Sequence, residues 1–508
     1  MGEISEILGA GQDLAIVTGE TDYITVSERS RDEIAARICS YTTECKLRIA
    51  ANNEKIRNAT EDEDIIVDEA YKDQGYTKGR ILYIAPTMSI AVALCERIED
   101  IIASPNADRS SWEGRELFQT VFGPPLASVD LDGKELTTRE YDGLAVTPYT
   151  DDGVERNNDF FLVGLTLKKD RVLYRAAAVQ ETASEKPDYK VMATDMVKAD
   201  VIVGSPLALQ LMVTGSTHYP LSSVEMVAID SAHIIYYQNW EHMAKVMASL
   251  NQQPPDGAVS SGAKYSRVRP AFLDGEGATI RQGVVVTRFM FPDLIALQTR
   301  HRESARPLET VAADDKAIVY NDVRGLYKAQ KLLKLSCPEF SAEALAGVKI
   351  AALPEILDKD LRTILVCPNY FNFTAVKAFL EGSEKYAADY VAISEYTAQR
   401  KRRDRRARFN GSPTVGPSAR IALYSERAHF YKPCVLKKAD VVVFVGPPET
   451  PAHYVEILRA NAAGMPAGEA LSMILFTKYD SRALTRIVGR ARARAKLQGA
   501  SEKRARTE

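Results

Sequence analysis

The chain has 508 residues, with 65 Lys and Arg against 68 Asp and Glu and a formal charge of -3. That near-balance excludes a general polycation, so any nucleic-acid surface must be local, and the length predicts about two to four domains at roughly 150 residues each. The six cysteines (Cys39, Cys45, Cys95, Cys337, Cys367, Cys434) form no Cys-x-x-Cys pair and the six histidines no His-x-x-x-His spacing. Neither a zinc site nor a disulfide frame is expected, and a reducing intracellular compartment fits.

The amino terminus has no basic-then-apolar signal, and Glu6 stands where a myristoylation motif needs Ser or Thr. No apolar run approaches the roughly 20 residues of a spanning helix, so a soluble protein without membrane contact is expected. Leu14 to Val17 reads as a buried strand, followed by a loop through Thr25 and a helix over about Ser30 to Asn52, with Ser30 and Glu33 spaced as a capping box. A phosphate-binding loop belongs in this slot. The residues present carry one glycine, Gly19, and the acids Glu20, Asp22 and Glu28, which would repel phosphate. The acidic stretch Glu61 to Glu69 reads as a solvated loop or a dock for a basic partner.

Ile81 to Ala85 is a second predicted strand, running through Pro86 and Thr87 into an apolar helix. Pro105 to about Asn158 reads as an irregular insertion, Phe160 to Leu167 as a strand or helix entry, and Asp200 to Val203 as a strand ending at Gly204, Ser205 and Pro206. The run Met226 to Ile229 delivers Asp230 at its carboxyl end, where buried parallel strands present chemistry. In nucleotide-driven motors such an aspartate holds magnesium and an adjacent glutamate positions water; here the neighbour is Ser231, which cannot serve as a general base unaided. Asp230 therefore reads as a magnesium ligand or as a helix cap or turn former worth about 1 kcal/mol, and the missing phosphate loop argues for the cap. Trp240, Met243, Met247 and Leu250 share a helical face. Trp240 reads as a core anchor or as an exposed partner-binding residue.

Val284 to Thr287 is the last predicted strand of the first set, and Arg302 to Asp315 lacks periodicity. Ile364 to Cys367, Tyr390 to Ile393, Ile421 to Tyr424, Val441 to Val445 and Met473 to Phe476 then alternate with helical segments, which predicts a second parallel sheet. Arg400 to Arg408 is a basic run, read as a solvated helix, a nuclear import signal or an RNA clamp. Within it Gln399 and Arg403 lie one turn apart, as do Arg402 and Arg406, so the guanidinium groups line stripes suited to phosphate. No aromatic interleaves the run before Phe409, so base contacts are not expected. His429 and Tyr431 read as loop residues able to meet a partner.

In order, Ala85-Pro86-Thr87, Gly204-Ser205-Pro206, Asp230-Ser231-Ala232-His233, Thr287 and Gln399-x-x-x-Arg403 resemble the motif series of DEAD-box RNA helicases. The blocks Gln238-Asn239-Trp240-Glu241-His242, Ser394-Glu395-Tyr396-Thr397, Ser425 to Tyr431 and Arg486-Ile487-Val488-Gly489 narrow this to the digestive organ expansion factor family, helicase-like components of the small-subunit processome. The resemblance runs from about Arg31 to Gly489. It implies an α/β fold of two RecA-like parallel-sheet lobes, lobe 1 over residues 1–315 with insertions, lobe 2 over 316–490, and a basic tail over 491–508. It implies a nucleolar assembly factor that binds pre-rRNA, U-three snoRNA and other processome proteins in 18S rRNA maturation. Its RNA-binding residues would be Thr87, Ser205, Gln399, Arg400, Arg402, Arg403, Arg406 and Arg408. Asp230, Ser231, Thr287 and Arg459 would form a degenerate nucleotide site, Arg459 being the one arginine kept between Tyr454 and Gly464. Trp240, His429 and Tyr431 would meet partners. No catalytic residue, metal, cofactor or small-molecule substrate is expected, and a family-associated acidic amino-terminal extension is not seen in these residues. An active helicase with divergent motifs and a protein-only adaptor are the competing classes.

Overall fold

Short apolar runs set the architecture. The segments Ile81–Ile84, Val201–Gly204 and Met226–Ile229 are each buried at every position, which is the pattern of parallel strands covered on both faces. The computed structural model describes residues 14–17, 23–58, 71–122, 139–141, 144–146, 160–179, 196–215, 219–255, 264–300, 309–312, 319–411, 417–431, 433–463 and 465–498. The acidic stretch 61–69 and residues Glu20 and Asp22 lie outside them. The chain divides into two compact units, Met1–Asp314 and Asp315–Glu508.

In the first unit the strands are β1 (Leu14–Val17), β2 (Ile81–Ile84), β3 (Arg139–Tyr141), β4 (Leu144–Val146), β5 (Phe161–Leu167), β6 (Val172–Val179), β7 (Val201–Gly204), β8 (Met226–Ile229), β9 (Gln282–Thr287) and β10 (Glu309–Ala312). One sheet runs β10-β1-β9-β8-β2-β7-β5-β6, and β3 pairs with β4 separately. The strands from β10 to β7 are parallel, whereas β5 is antiparallel to both β7 and β6. β9, ending in Thr287, separates β1 from the strand that delivers Asp230.

The second unit holds β11 (Ala329–Lys334), β12 (Thr363–Cys367), β13 (Tyr390–Ile393), β14 (Ile421–Ser425), β15 (Val441–Phe444) and β16 (Leu471–Phe476). All are parallel, in the order β11-β16-β15-β12-β14-β13. The period of two along each strand divides its side chains between two cores. Ile364, Val366, Val442 and Phe444 join Phe409, Tyr454 and Leu458 on one face. Leu365, Cys367, Val441 and Val443 join Leu357, Phe373 and Leu380 on the other. Two parallel-dominated sheets in an α/β chain, with the strand order of the first, are the RecA-like arrangement.

Several expectations change. The first helix spans Tyr23–Asn58, so Ser30 and Glu33 lie inside it and do not cap it. Arg115–Phe122 is a helix within the expected irregular insertion. The aperiodic segment 302–315 contains β10, which pairs with β1. Beyond residue 490 the chain continues as a helix, Arg490–Leu497. It is seated by buried Ala493 and by the Arg492 guanidinium 4.4 Å over the Tyr320 ring.

Phe444 is fully buried and its ring lies 5.1 Å from that of Tyr454. Phe444→Ala should destabilise the second unit by about 3–5 kcal/mol through lost burial and a residual cavity, read as a lower urea midpoint, with Phe444→Leu losing less.

Candidate functional site

At the carboxyl edge of the first sheet, Asp230 is fully buried and its carboxylate is held by side chains of the same unit. Arg31 Nε donates to Oδ2 at 2.5 Å, Tyr83 Oη donates to the same oxygen at 2.6 Å, and Ser231 Oγ donates to Oδ1 at 2.9 Å. Arg31 comes from the first helix and its side chain is only 1% exposed. Ser231 holds a left-handed backbone, φ 51° and ψ 47°, a conformation that costs a non-glycine residue roughly 1–2 kcal/mol. It turns the chain from β8 into the helix Ala232–Gln238. Asp230 is therefore neither a cap nor a turn former; it is the anion of a buried ion pair.

This geometry does not fit a nucleotide-bound magnesium ion. A magnesium site presents carboxylate oxygens to the ion and its waters, yet both oxygens of Asp230 are engaged and a guanidinium supplies the positive charge. Ser231 is fully buried and its hydroxyl donates to Asp230. Thr287 is also buried and donates to Phe289 O at 3.0 Å. His233 accepts from Arg288 N through Nδ1 at 3.4 Å, tying the turn after β8 to the turn after β9. Among the described residues no cluster of three or more His, Cys, Asp or Glu could hold a metal ion.

Of the two RNA-binding candidates of this unit, Ser205 is turned to structural work. Ser205 is buried, and its Oγ accepts from Ala208 N at 3.2 Å and Phe161 N at 3.4 Å, so it caps the helix Pro206–Gly215. Thr87 is half-buried at the start of the helix Met88–Ile102, with its hydroxyl 3.1 Å from Ser89 Oγ. Next to it, Pro86 O accepts from Gln238 Nε2 at 2.7 Å. Trp240 is half-buried, edge-on to the buried Phe291 ring at 4.9 Å, and Met243 and Met247 continue its face into the core.

In the second unit the basic run forms the helix Gln399–Asn410, which Phe409 anchors to the sheet. Gln399, Arg400, Lys401, Arg403 and Arg406 are exposed. Arg402 is 8% exposed and turns inward, because one side of the helix must cover the core; it is not a phosphate ligand. Arg405 donates to Ala392 O at 2.5 Å and Arg408 to Pro417 O at 3.1 Å. The sequence thus placed Gln399, Arg403 and Arg406 on an open surface and misplaced Arg402 alone.

His429 and Tyr431 lie in a helix, Glu426–Tyr431, not a loop. His429 is buried between Tyr424 Oη at 3.1 Å and Glu456 Oε2 at 2.8 Å, which removes it from any partner surface; Tyr431 is half-buried. Arg459 is exposed in the helix Pro451–Ala462, two residues before Asn461, which binds the backbone of Ala439 just ahead of β15. The residue missed by sequence reasoning is Glu426. Fully buried, it accepts from Glu449 N and Thr450 N, both at 3.1 Å, and lies 2.8 Å from His453 Nδ1. It fixes the loop after β15. A lone glutamate between Ser425 and Arg427 carried no periodic signal of this.

A RecA-like α/β protein whose Asp230 is filled by an internal cation is the class this fold and site define. Residues 12–306 match the family described as UTP25, NTP hydrolase-like domain, and residues 343–504 match Utp25, C-terminal domain; the chain belongs to the UTP25 family. Protein NUCLEOLAR FACTOR 1 of Arabidopsis thaliana is 26% identical over 473 residues, covering 88% of this chain and 57% of that protein. U3 small nucleolar RNA-associated protein 25 of Clavispora lusitaniae is 27% identical over 489 residues, covering 90% and 62%. The chain thus spans about six-tenths of the length of these curated relatives. Among solved structures, a hypothetical ATP-dependent RNA helicase from Sulfolobus tokodaii aligns at 11% identity and a TM-score of 0.27, covering 94% of this chain and 91% of that one.

Deleting one member of a buried ion pair strands the other, at about 3–5 kcal/mol, while replacing both can be close to neutral. Asp230→Asn and Arg31→Met should each lower the denaturation midpoint by that amount. The double variant should lose clearly less than the two losses added, which a double-mutant cycle measures.

Proposed function

We infer that this chain is a non-catalytic RNA- and protein-binding assembly factor of the small-subunit processome, the 90S pre-ribosome. It acts in the nucleolus, on pre-rRNA and the U3 snoRNA, in early processing toward 18S rRNA. The observation that carries the non-catalytic part is the Arg31–Asp230 pair: a cation from the chain occupies the charge that a nucleotide's magnesium would bring. The names of the relatives, nucleolar factor and U3 small nucleolar RNA-associated protein, support the setting. RNA attachment rests on the exposed stripe Gln399, Arg400, Arg403 and Arg406, since arginine forks bind phosphate oxygens in bidentate fashion.

Two measurements test this. Calorimetric titration with ATP and magnesium should give no saturable binding at millimolar nucleotide, with or without RNA; a saturable isotherm accompanied by RNA-stimulated hydrolysis would overturn the reading. Replacing Arg400, Arg403 and Arg406 with alanine should weaken binding to unrelated single-stranded RNAs alike and flatten the log-log salt slope by roughly 0.7 per lost phosphate contact. Arg402 stays out of that set because its removal would perturb the fold. A fused heterologous import signal separates RNA binding from nuclear entry: if the triple variant carrying it keeps the full salt slope and restores 18S maturation, the run is an import signal only.

A further inference from the structure

Three aromatic side chains stand in solvent at one edge of the second sheet. Tyr396 is 67% exposed, Phe371 44% and Tyr370 41%. Tyr370 and Phe371 open the helix Tyr370–Glu381 just beyond β12, where Asn369 Oδ1 accepts from Asn372 N at 2.8 Å and fixes the first turn. Tyr396 follows β13 in a turn closed by Thr397 N to Ser394 O at 3.0 Å and Ser394 N to Thr397 Oγ1 at 2.9 Å. The helices that follow these two strands cover opposite faces of the sheet, Phe373 on one and Phe409 on the other. At the edge between them Tyr370 and Tyr396 meet, ring centroids 5.1 Å apart and planes at 78°. Tyr370 also lies nearly parallel to buried Phe373, 6.0 Å away. A ladder of rings therefore climbs from the core into water.

Rings held this way have few rotamers left to lose and present open π faces, because an edge-to-face pair cannot cover both faces of both rings. Beside them lie cations. Arg400 is four residues from Tyr396, within roughly 14 Å even for an extended chain, and Arg403 is one helical turn further, about 5 Å along the axis. Arg400, Lys401 and Arg403 are all exposed. Aromatic faces next to a basic track are what sequence-neutral single-strand binding uses, the rings stacking bases and the cations following the phosphates. A duplex offers no such faces, since its bases are already stacked. An apolar protein surface would cover the rings and leave the adjoining guanidinium groups without counter-charge.

We propose that Tyr396, Tyr370 and Phe371 form a stacking platform for unpaired bases of single-stranded RNA whose phosphates run along Arg400, Lys401 and Arg403. This deepens the RNA-binding reading of the arginine helix and rests on it. It also revises the expectation that bases go uncontacted: the basic run contains no interleaved aromatic, but the turn after β13 and the helix after β12 bring three to its start.

The test is fluorescence anisotropy with the full chain, using a short oligouridylate, an abasic ribose-phosphate strand of equal length and an RNA duplex. Tyr396→Ala should weaken oligouridylate binding about 10-fold, within the range of roughly 5- to 150-fold that one stacked base supplies, and leave the abasic strand and the duplex unchanged. Tyr396→Trp should hold oligouridylate at least as tightly as Tyr396, which separates stacking from a folding defect. Arg400→Ala with Arg403→Ala should weaken both strands. Equal loss on the abasic strand in Tyr396→Ala overturns the platform. So does unchanged oligouridylate binding in Tyr396→Ala while the arginine variants still lose affinity, an outcome that leaves the phosphate contacts standing. Should the wild-type chain bind neither strand, both readings fail together. If Tyr396→Ala keeps its RNA affinity and loses a co-purifying protein, the patch is a protein contact and the proposal is wrong.

Discussion

One buried charge pair, Arg31 with Asp230, ties together the elements at the carboxyl edge of the first sheet. Burying a carboxylate is costly without a counter-charge, and Arg31 supplies one to Asp230 from a helix 199 residues away in sequence. Tyr83 from β2 and Ser231 from the turn complete the coordination, so the contact joins the first helix, two central strands and the helix Ala232–Gln238. The chain is thereby committed: the carboxylate that could have bound a metal is instead a fastener between elements.

The second unit repeats the logic with different residues. Glu426 receives two backbone N–H groups of the loop after β15 and faces His453, and His429 is held between Tyr424 and Glu456. Arg486 pairs with Glu449 on the same loop. Loops that would have to adapt to a ligand are thus pinned by polar side chains from within. The exposed chemistry of this unit lies elsewhere, on the outward side of the helix Gln399–Asn410, whose inward side carries Arg402 and Phe409 into the protein. One run of arginines serves two purposes because a helix turns successive residues by about 100°.

The fold was legible where burial on both faces writes a continuous apolar run. β2, β7, β8, β12, β14 and β15 could be read directly from the sequence. β11 could not: its residues Ala329 to Lys334 mix Gln and two Lys with Ala and two Leu and none is buried, because it is an edge strand with one neighbour. β10 was hidden for a related reason, being a four-residue strand at the far edge of the first sheet. The position of Asp230 at a strand end was legible, but its partner was not, since no local pattern connects residues so far apart as Arg31 and Asp230. The capping-box spacing at Ser30 and Glu33 misled for the opposite reason: a local pattern was present, and the helix had already begun at Tyr23. At the basic run, composition gave the charge, while only the packing of Phe409 against the sheet decides which arginines face out. The aromatic residues at its start come from two separate segments, the turn after β13 and the helix after β12, so no single local pattern joins them.

The placement of β1 bears on how the chain can fold during synthesis. β1 lies between β9 and β10, pairing Leu14 with Val284 and with Glu309. At roughly 5–20 residues per second, a ribosome needs about 15 to 55 seconds to pass from the first of these strands to the second. Until then the amino-terminal strand has both edges unpaired, and Arg31 has no anion until Asp230 emerges. Such long-range closure makes folding slow and leaves strand edges open to other chains. The first sheet therefore locks only when the unit is almost entirely made.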